Sequence, residues 1–399
     1  MKEWKEYKLN DICTVVSSKR IFAEQYVNEG IPFYRQKEII ELHSKQSISE
    51  PLYISNEVFS EMKKKTGVPK KGDILLTAVG VTLGIPFLVN NEEFYFKDGN
   101  LIWLKNFSEN IDSSFLYYWL DSKFGWESIY MRAIGSAQPA LTIDLVKKYK
   151  MLFPPLPTQQ KIASILSAYD NLIQNYKKQI EALQTAASEL YKEWFVRFRF
   201  PGYQTTKFEN GIPEGWKVEK LFDVAKIIYG YPFNSDEFCD DNSLNPVVRI
   251  RDILDNHTNT YTSESCDEKY WINPNEMLIG MDGIFHMTLW TGERALQNQR
   301  TVRVTSKVKN LSNYYLYFSL YPQIKALEQM IVGTTVAHLG DKHLKKITIL
   351  IPEDKILKMS YERFEPMMNR IYSLQQQITN LIQQRDLLLP RLMSGKLEV

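Results

Sequence analysis

Sliding the sequence by 198 positions brings Gly135 onto Gly333, Leu141 onto Leu339 and Lys147-Lys148 onto Lys345-Lys346. The same offset continues through Leu152/Leu350, Pro154/Pro352, Asn171/Asn369, Ile173/Ile371, Gln179/Gln377, Ile180/Ile378, Leu183/Leu381 and Leu190/Leu388. Chance gives a few such matches, but not one register held from Gly135 to Leu190. Earlier in each half the match survives small changes of offset, as loops of unequal length cause. Phe115 to Tyr118 pairs with Tyr315 to Phe318, Pro32 and Arg35 with Pro246 and Arg249, and Trp4-Lys5 with Trp216-Lys217. Leu9 and Asp11 likewise meet Leu221 and Asp223. The chain is a tandem duplication, and whatever fold one copy adopts the other must share.

Each copy has a mixed head and a helical tail. The heads, about 1–153 and 211–351, alternate β-rich runs such as Asp73 to Val79 and Pro246 to Arg251 with Gly, Pro and Asn turns. Short helices are expected near Ser113–Leu120 and Ser312–Leu320. The heads therefore read as α/β or α+β domains, with no strand order derivable.

The tails are clearer. Apolar positions run Tyr169, Ile173, Tyr176, Ile180, Leu183, Ala187, Leu190 and Trp194, a spacing of three and four that makes a coiled-coil seam. The second tail repeats it with Phe364, Met367, Ile371, Leu374, Ile378, Leu381, Arg385, Leu388 and Leu392. Pro154, Pro155 and Pro157 are expected to precede the first helix, and Phe200-Pro201-Gly202 and Ser394-Gly395 to end the two. Pro366 stands early in the second stripe, where it is expected to kink or delay the helix. Two separate helices, each docked on its own head, are one arrangement; matched seams in a duplicated chain favour mutual, antiparallel pairing. The division expected is 1–153 first head, 154–200 first helical region, 201–351 second head with a short linker, and 352–399 second helical region.

Charge settles little. Lys+Arg 49 against Asp+Glu 47 leaves a formal net charge of +2, compatible with a basic face offset elsewhere. Cys13, Cys239 and Cys266 are isolated from one another, which fits a reducing compartment. No signal-like apolar run opens the chain and no stretch is long enough for a membrane helix, so a soluble, cytoplasmic protein is expected.

The order head, long helix, head, long helix, with Pro154-Pro-Leu-Pro-Thr-Gln-Gln-Lys-Ile-Ala163 between the first pair, resembles the specificity subunit of type I restriction–modification systems. Gly211-Ile-Pro-Glu-Gly-Trp216, Gly135-Ser-Ala-Gln-Pro-Ala-Leu141 and Leu387-Leu-Leu-Pro-Arg-Leu-Met-Ser-Gly-Lys-Leu397 agree, and the resemblance covers essentially the whole chain. In the second copy Pro352-Glu-Asp-Lys replaces the Pro-Leu-Pro-x-Gln-Gln pattern. The resemblance implies that each head is a target recognition domain reading one half of a bipartite double-stranded DNA site. It implies helices that set the spacing and dock two methyltransferase subunits, which restriction/translocase subunits then join. S-adenosylmethionine, ATP and Mg belong to those partners, with no cofactor on this chain.

The missing chemistry points the same way. An adenine methyltransferase needs an Asn/Asp-Pro-Pro-aromatic loop, and Phe153-Pro-Pro-Leu156 lacks both the polar residue and the aromatic. No Gly-x-x-x-x-Gly-Lys-Ser/Thr loop exists to cradle a phosphate, and His338 with His343 and no cysteine nearby is not a zinc pattern. A bifunctional enzyme and a protein-binding scaffold are the alternatives; the missing motifs weigh against the first and the basic and aromatic loops against the second.

Base and phosphate contacts call for polar and basic side chains on loops between strands. In the first head the candidates are Ser18, Lys19, Arg20, Arg35, Lys37, Thr77, Thr82 and Gln138. In the second they are Tyr231, Asn234, Arg249, Arg251, Asp282, Arg300 and His338. Tyr191, Trp194, Phe195 and Phe198, with Phe200, crowd the end of the first helix; they are expected to form an exposed, partner-binding patch, the rival being that they pack beneath the neighbouring head.

Overall fold

The computed structural model describes residues 4–44, 47–133, 140–331 and 337–399. It divides into two compact units, one formed by Met1–Leu172 with Leu381–Val399 and the other by Ile173–Asn380. Each long helix thus contributes one part to each unit.

In the first unit Lys5–Lys8 pairs antiparallel with Lys150–Phe153, tying the two ends of the head together. Between them lies a four-stranded antiparallel sheet in the order Thr14–Val16, Leu101–Lys105, Ile74–Thr77, Pro86–Leu88. A second sheet runs Tyr26–Val27, Tyr53–Ile54, Ile31–Tyr34, Tyr95–Phe96, its last pair parallel. The helix Ser113–Asp121 starts where the Asp112 side chain accepts from the Phe115 N–H. Its apolar face puts Phe115, Leu116 and Leu120 into one cluster with Ile74, Leu76 and Leu104 of the first sheet.

The second unit repeats the plan. Lys217–Lys220 pairs with Thr348–Ile351, and a four-stranded antiparallel sheet runs Ala225–Tyr229, Thr301–Ser306, Met277–Gly280, Met287–Leu289. The other sheet runs Tyr261–Thr262, Asn245–Val248, Ala295–Gln297, Trp271–Ile272. The capped helix here is longer than its sequence suggests, Asn313–Met330, with the Ser312 hydroxyl as its cap. In the first unit the corresponding stretch is broken at Ser122, whose hydroxyl donates to the Trp119 carbonyl before a further helix, Lys123–Ala133.

The tails form two long helices, Leu156–Tyr191 and Asp354–Met393, and the seam residues face inward. Ile162, Leu166, Ile173, Ala187, Phe364, Ile371, Leu374, Ile378 and Leu392 are buried. The helices run antiparallel. In the first unit Ile162 shares a pocket wall with Leu392 while Asp170 pairs with Arg385 at 2.7 Å; in the second, Arg370 bonds Gln179 and Phe364 approaches Phe195.

Several proline expectations are corrected. Pro157 lies inside the first helix, in its first turn, where a missing N–H costs nothing because no intrahelical acceptor awaits it. The second helix begins at Asp354 and passes through Pro366, which sits on its exposed face, so that proline does not delay it. The first helix ends not at Phe200 but in a π-turn over Lys192–Val196, after which Phe198 takes φ +55°.

Two outcomes follow from buried groups. Asp170 accepts from Arg385 and, at 2.8 Å, from the Tyr118 hydroxyl. Asp170→Ala leaves the Tyr118 hydroxyl without its acceptor and Arg385 with Asp386 alone, and is expected to cost about 1–3 kcal/mol in denaturant unfolding; an unchanged midpoint contradicts the assignment. Burial pushes the Cys13 thiol up to about 12, whereas Cys239 is exposed. Because the thiolate is the nucleophile, iodoacetamide on the native protein at pH 8 should label Cys239 and spare Cys13 until unfolding.

Candidate nucleic-acid interface

The strand Ile74–Thr77 leads into a turn that returns at Pro86–Leu88. Thr77 is fully buried; its hydroxyl donates to the Thr82 carbonyl at 2.6 Å and accepts from the Ile85 N–H at 2.8 Å. It staples the turn and is not available to a ligand, which corrects its assignment as a DNA contact. Thr82, half-buried, accepts through its hydroxyl from Gln36 Nε2, which also donates to the Val79 carbonyl at 2.8 Å. The tip between them carries Gly80 at φ +75°, with no atom within 4 Å of where a side chain would start, and Val81, which is 86% exposed. Val79 bridges to Ala140, and the Leu141 N–H donates to the Ala78 carbonyl while the Ala78 N–H donates to the Asn100 carbonyl. Gln138 falls outside the described residues.

The second unit repeats this frame bond for bond. Asp282 bridges to His338, the Leu339 N–H donates to the Met281 carbonyl, and the Met281 N–H donates to the Arg300 carbonyl. Here the side chains add a polar cluster of their own. His338 Nδ1 lies 2.6 Å from Asp282 Oδ1, and Arg300 Nη1 lies 3.5 Å from Asp282 Oδ2. The His338 and Arg300 side chains remain 50% and 60% exposed. Three candidates far apart in sequence thus meet on one surface, where a carboxylate holds two donors in place. Their counterparts in the first unit are Val79, Ala140 and Asn100.

The remaining candidates are scattered. Lys19 is exposed with its backbone N–H on the Tyr95 hydroxyl, and Arg20, also exposed, reaches Asp98 at 3.3 Å. Ser18 is buried and donates to the Phe96 carbonyl at 2.7 Å, so its hydroxyl holds the loop instead of facing a ligand, a second correction. Arg35 is a third: its guanidinium grips the fully buried Glu38 carboxylate at 2.5 Å, which also accepts the Arg35 N–H. That ion pair raises the guanidinium's affinity for its proton further and occupies the fork. Lys37 pairs with Glu50 at 3.0 Å while staying exposed.

In the second unit Arg249 follows the strand Asn245–Val248 and caps a 3₁₀ turn at Ile250–Asp252, within which Arg251 lies. Arg249 lies over the Phe238 ring at 5.5 Å, and Arg251 is exposed, its Nε 3.7 Å from Asp252. The Tyr231 ring packs against Phe233 and Tyr270 at 4.8 and 5.2 Å. Asn234 is exposed and caps the turn at Ser235–Glu237. No group of three or more His, Cys, Asp or Glu side chains able to hold a metal occurs among the described residues, and no described helix is long and apolar enough to cross a membrane.

A family model described as type I restriction modification DNA specificity domain matches twice, over residues 1–185 and 213–384. The chain belongs to that family. A type I restriction enzyme specificity subunit of Methanocaldococcus jannaschii is 28% identical over 100% of this chain and 94% of its own length. The Escherichia coli EcoBI specificity subunit is 30% identical over 41% of this chain and 34% of its own. Among solved structures, a type I specificity subunit from M. genitalium matches with a TM-score of 0.65 at 15% identity, covering 98% of this chain and 96% of that one, which establishes likeness of fold.

Within this specificity-family architecture, the aromatic patch at the end of the first helix is not a free surface. Trp194, Phe195 and Phe200 are buried in the second unit's core. Phe195 meets Tyr315 at 4.6 Å and Trp216 at 6.0 Å, Phe198 and Phe200 meet Trp216 at 5.7 and 5.0 Å, and the Tyr191 hydroxyl lies 2.9 Å from Ser319 Oγ. The exposed docking patch expected of Tyr191, Trp194, Phe195 and Phe198 is therefore corrected in favour of packing on the adjacent head. Gln36 stands between the candidates Arg35 and Lys37, but nothing in the sequence tells that its amide clamps the turn tip. The buried Arg303, paired with Glu276 at 2.6 Å, was equally silent.

Phe195→Ala is expected to cost about 3–5 kcal/mol, read as a lowered thermal midpoint. An unchanged midpoint with a lost binding partner would restore the docking role.

Proposed function

We propose that each head reads one half of a bipartite double-stranded DNA sequence, and that the chain supplies recognition while catalysis resides on partner subunits. The observation that carries this is the repeated frame: the same backbone bonds hold the turn tip, the strand entry and the returning segment in both units, while the side chains they present differ. One scaffold with two different chemical faces is what two readers of different half-sites require. In the second unit Asp282 accepts from a cytosine amino group or, paired as it stands, orients Arg300 and His338 toward guanine edges. In the first, Thr82 and the glycine tip, held in place by the Gln36 amide, offer hydroxyl and close backbone approach. Lys19, Arg20, Lys37 and Arg251, exposed near these loops' strands, serve as phosphate contacts.

The partners that complete this reading are two methyltransferase subunits docked through the helical regions and restriction/translocase subunits joined to them, in the cytoplasm. They carry S-adenosylmethionine, ATP and Mg, and this chain carries none. The division into heads 1–153 and 201–351 and helical regions 154–200 and 352–399 is part of the same proposal; the ladders ending at Phe153 and Ile351 support it.

Arg300→Ala and His338→Ala are each expected to relax base preference in one half-site by about 1–3 kcal/mol and to leave the other half unaltered, as read from methylated motifs with the assembled enzyme. Lys19→Ala should weaken binding to all sequences alike and lower the salt slope by about one. A change in both half-sites from Arg300→Ala would contradict independent reading.

A further inference from the structure

The two units differ where each long helix ends. In the second unit Trp216 is buried beneath Phe195, Phe198 and Phe200. In the duplication Trp216 corresponds to Trp4, and these three rings to Met393, Lys396 and Glu398. The aromatic cap is thus absent from the first unit. Trp4 is only half-buried there, and among the described residues its ring neighbour is Phe115 at 6.3 Å. Beside it lies a cavity of about 760 Å³, lined among others by Trp4, Trp119, Phe124, Leu152, Pro390 and Met393. Trp119 and Met393 are buried at its floor, while Phe124 and Leu152 stand 64% and 53% exposed at its mouth.

The rim is charged in one sense. Lys150 is neutralised by Glu6 at 2.6 Å, but Arg391 and Lys396 have no carboxylate within 4 Å among the described residues. Arg391 stands where the second unit has Glu193. We infer that this groove is a docking site for a segment of a partner protein bearing two or three aromatic side chains flanked by carboxylates. The rings take the places that Phe195, Phe198 and Phe200 fill in the other unit, and the carboxylates meet Arg391 and Lys396. Aromatic anchors in a desolvated pocket within a polar rim are the usual make-up of an energetic centre of an interface. The inference rests on the assembly part of the function proposed above and not on DNA reading, so an assay without DNA fails separately from it.

The test uses the full chain and two fluorescent peptides, each with a Trp-Phe-x-Phe core, one flanked by aspartates and the other by lysines. Anisotropy should show the aspartate peptide binding at least about tenfold more tightly. Arg391→Glu with Lys396→Glu, both surface changes, should reverse that preference, and Phe124→Ala should weaken both peptides. Equal binding of the two peptides, or no binding up to about millimolar concentration, overturns the proposal. So does a concentration-dependent dimer of the chain that Phe124→Ala abolishes, which would make a second copy the occupant.

Discussion

Each head is closed by a two-stranded ladder that joins its first strand to its last, Lys5–Lys8 to Lys150–Phe153 and Lys217–Lys220 to Thr348–Ile351. The closing bond behind each ladder is also the same: the Leu9 N–H donates to the Tyr149 carbonyl at 2.9 Å, and the Leu221 N–H to the Ile347 carbonyl at 3.0 Å. Closing so long a segment costs entropy that grows only slowly with its length, so the many residues between can vary without loosening the closure. Three residues after each ladder a long helix begins, and its direction is set by strands that the head's own core holds in place.

The reading surface depends on that closure. The segment entering the last strand also supplies the backbone that bridges to the hairpin turn of the antiparallel sheet, at Ala140 in one unit and His338 in the other. The backbone bonds are the same in the two units, while the side chains above them differ: Val79 packs against the first unit's core, whereas His338 and Arg300 stand 50% and 60% exposed. Asp282, Arg300 and His338 thus replace Val79, Asn100 and Ala140 on the same backbone frame. Where a candidate side chain does have a core duty, as with Thr77 and Ser18, it is withdrawn from the surface, and Arg35, half-buried, spends its guanidinium on Glu38.

Much of the architecture was legible in the sequence, for a physical reason. Duplication doubles every signal, and a three-four apolar spacing has few structural meanings, so the antiparallel helices and the mixed heads could be read from Ile173, Ile180, Ile371 and Ile378. Strand order could not, since pairings such as Ile31–Tyr34 with Tyr95–Phe96 join residues with no local cue. The site was legible only as a region. Composition marks Thr77 and Arg35 as polar, but burial and a carboxylate three residues on decide what they do. The terminal aromatics misled in the same way: five rings look like too many for one seam until Trp216 and Tyr315 arrive from the neighbouring head.

The central claim is that two closed heads of one design read DNA independently. Exchanging residues 211–351 for the second head of another family member, within the assembled methyltransferase, tests it most directly through sequencing of methylated sites. The account predicts a motif altered in one half and preserved in the other. A motif altered in both halves, or in neither, would contradict it.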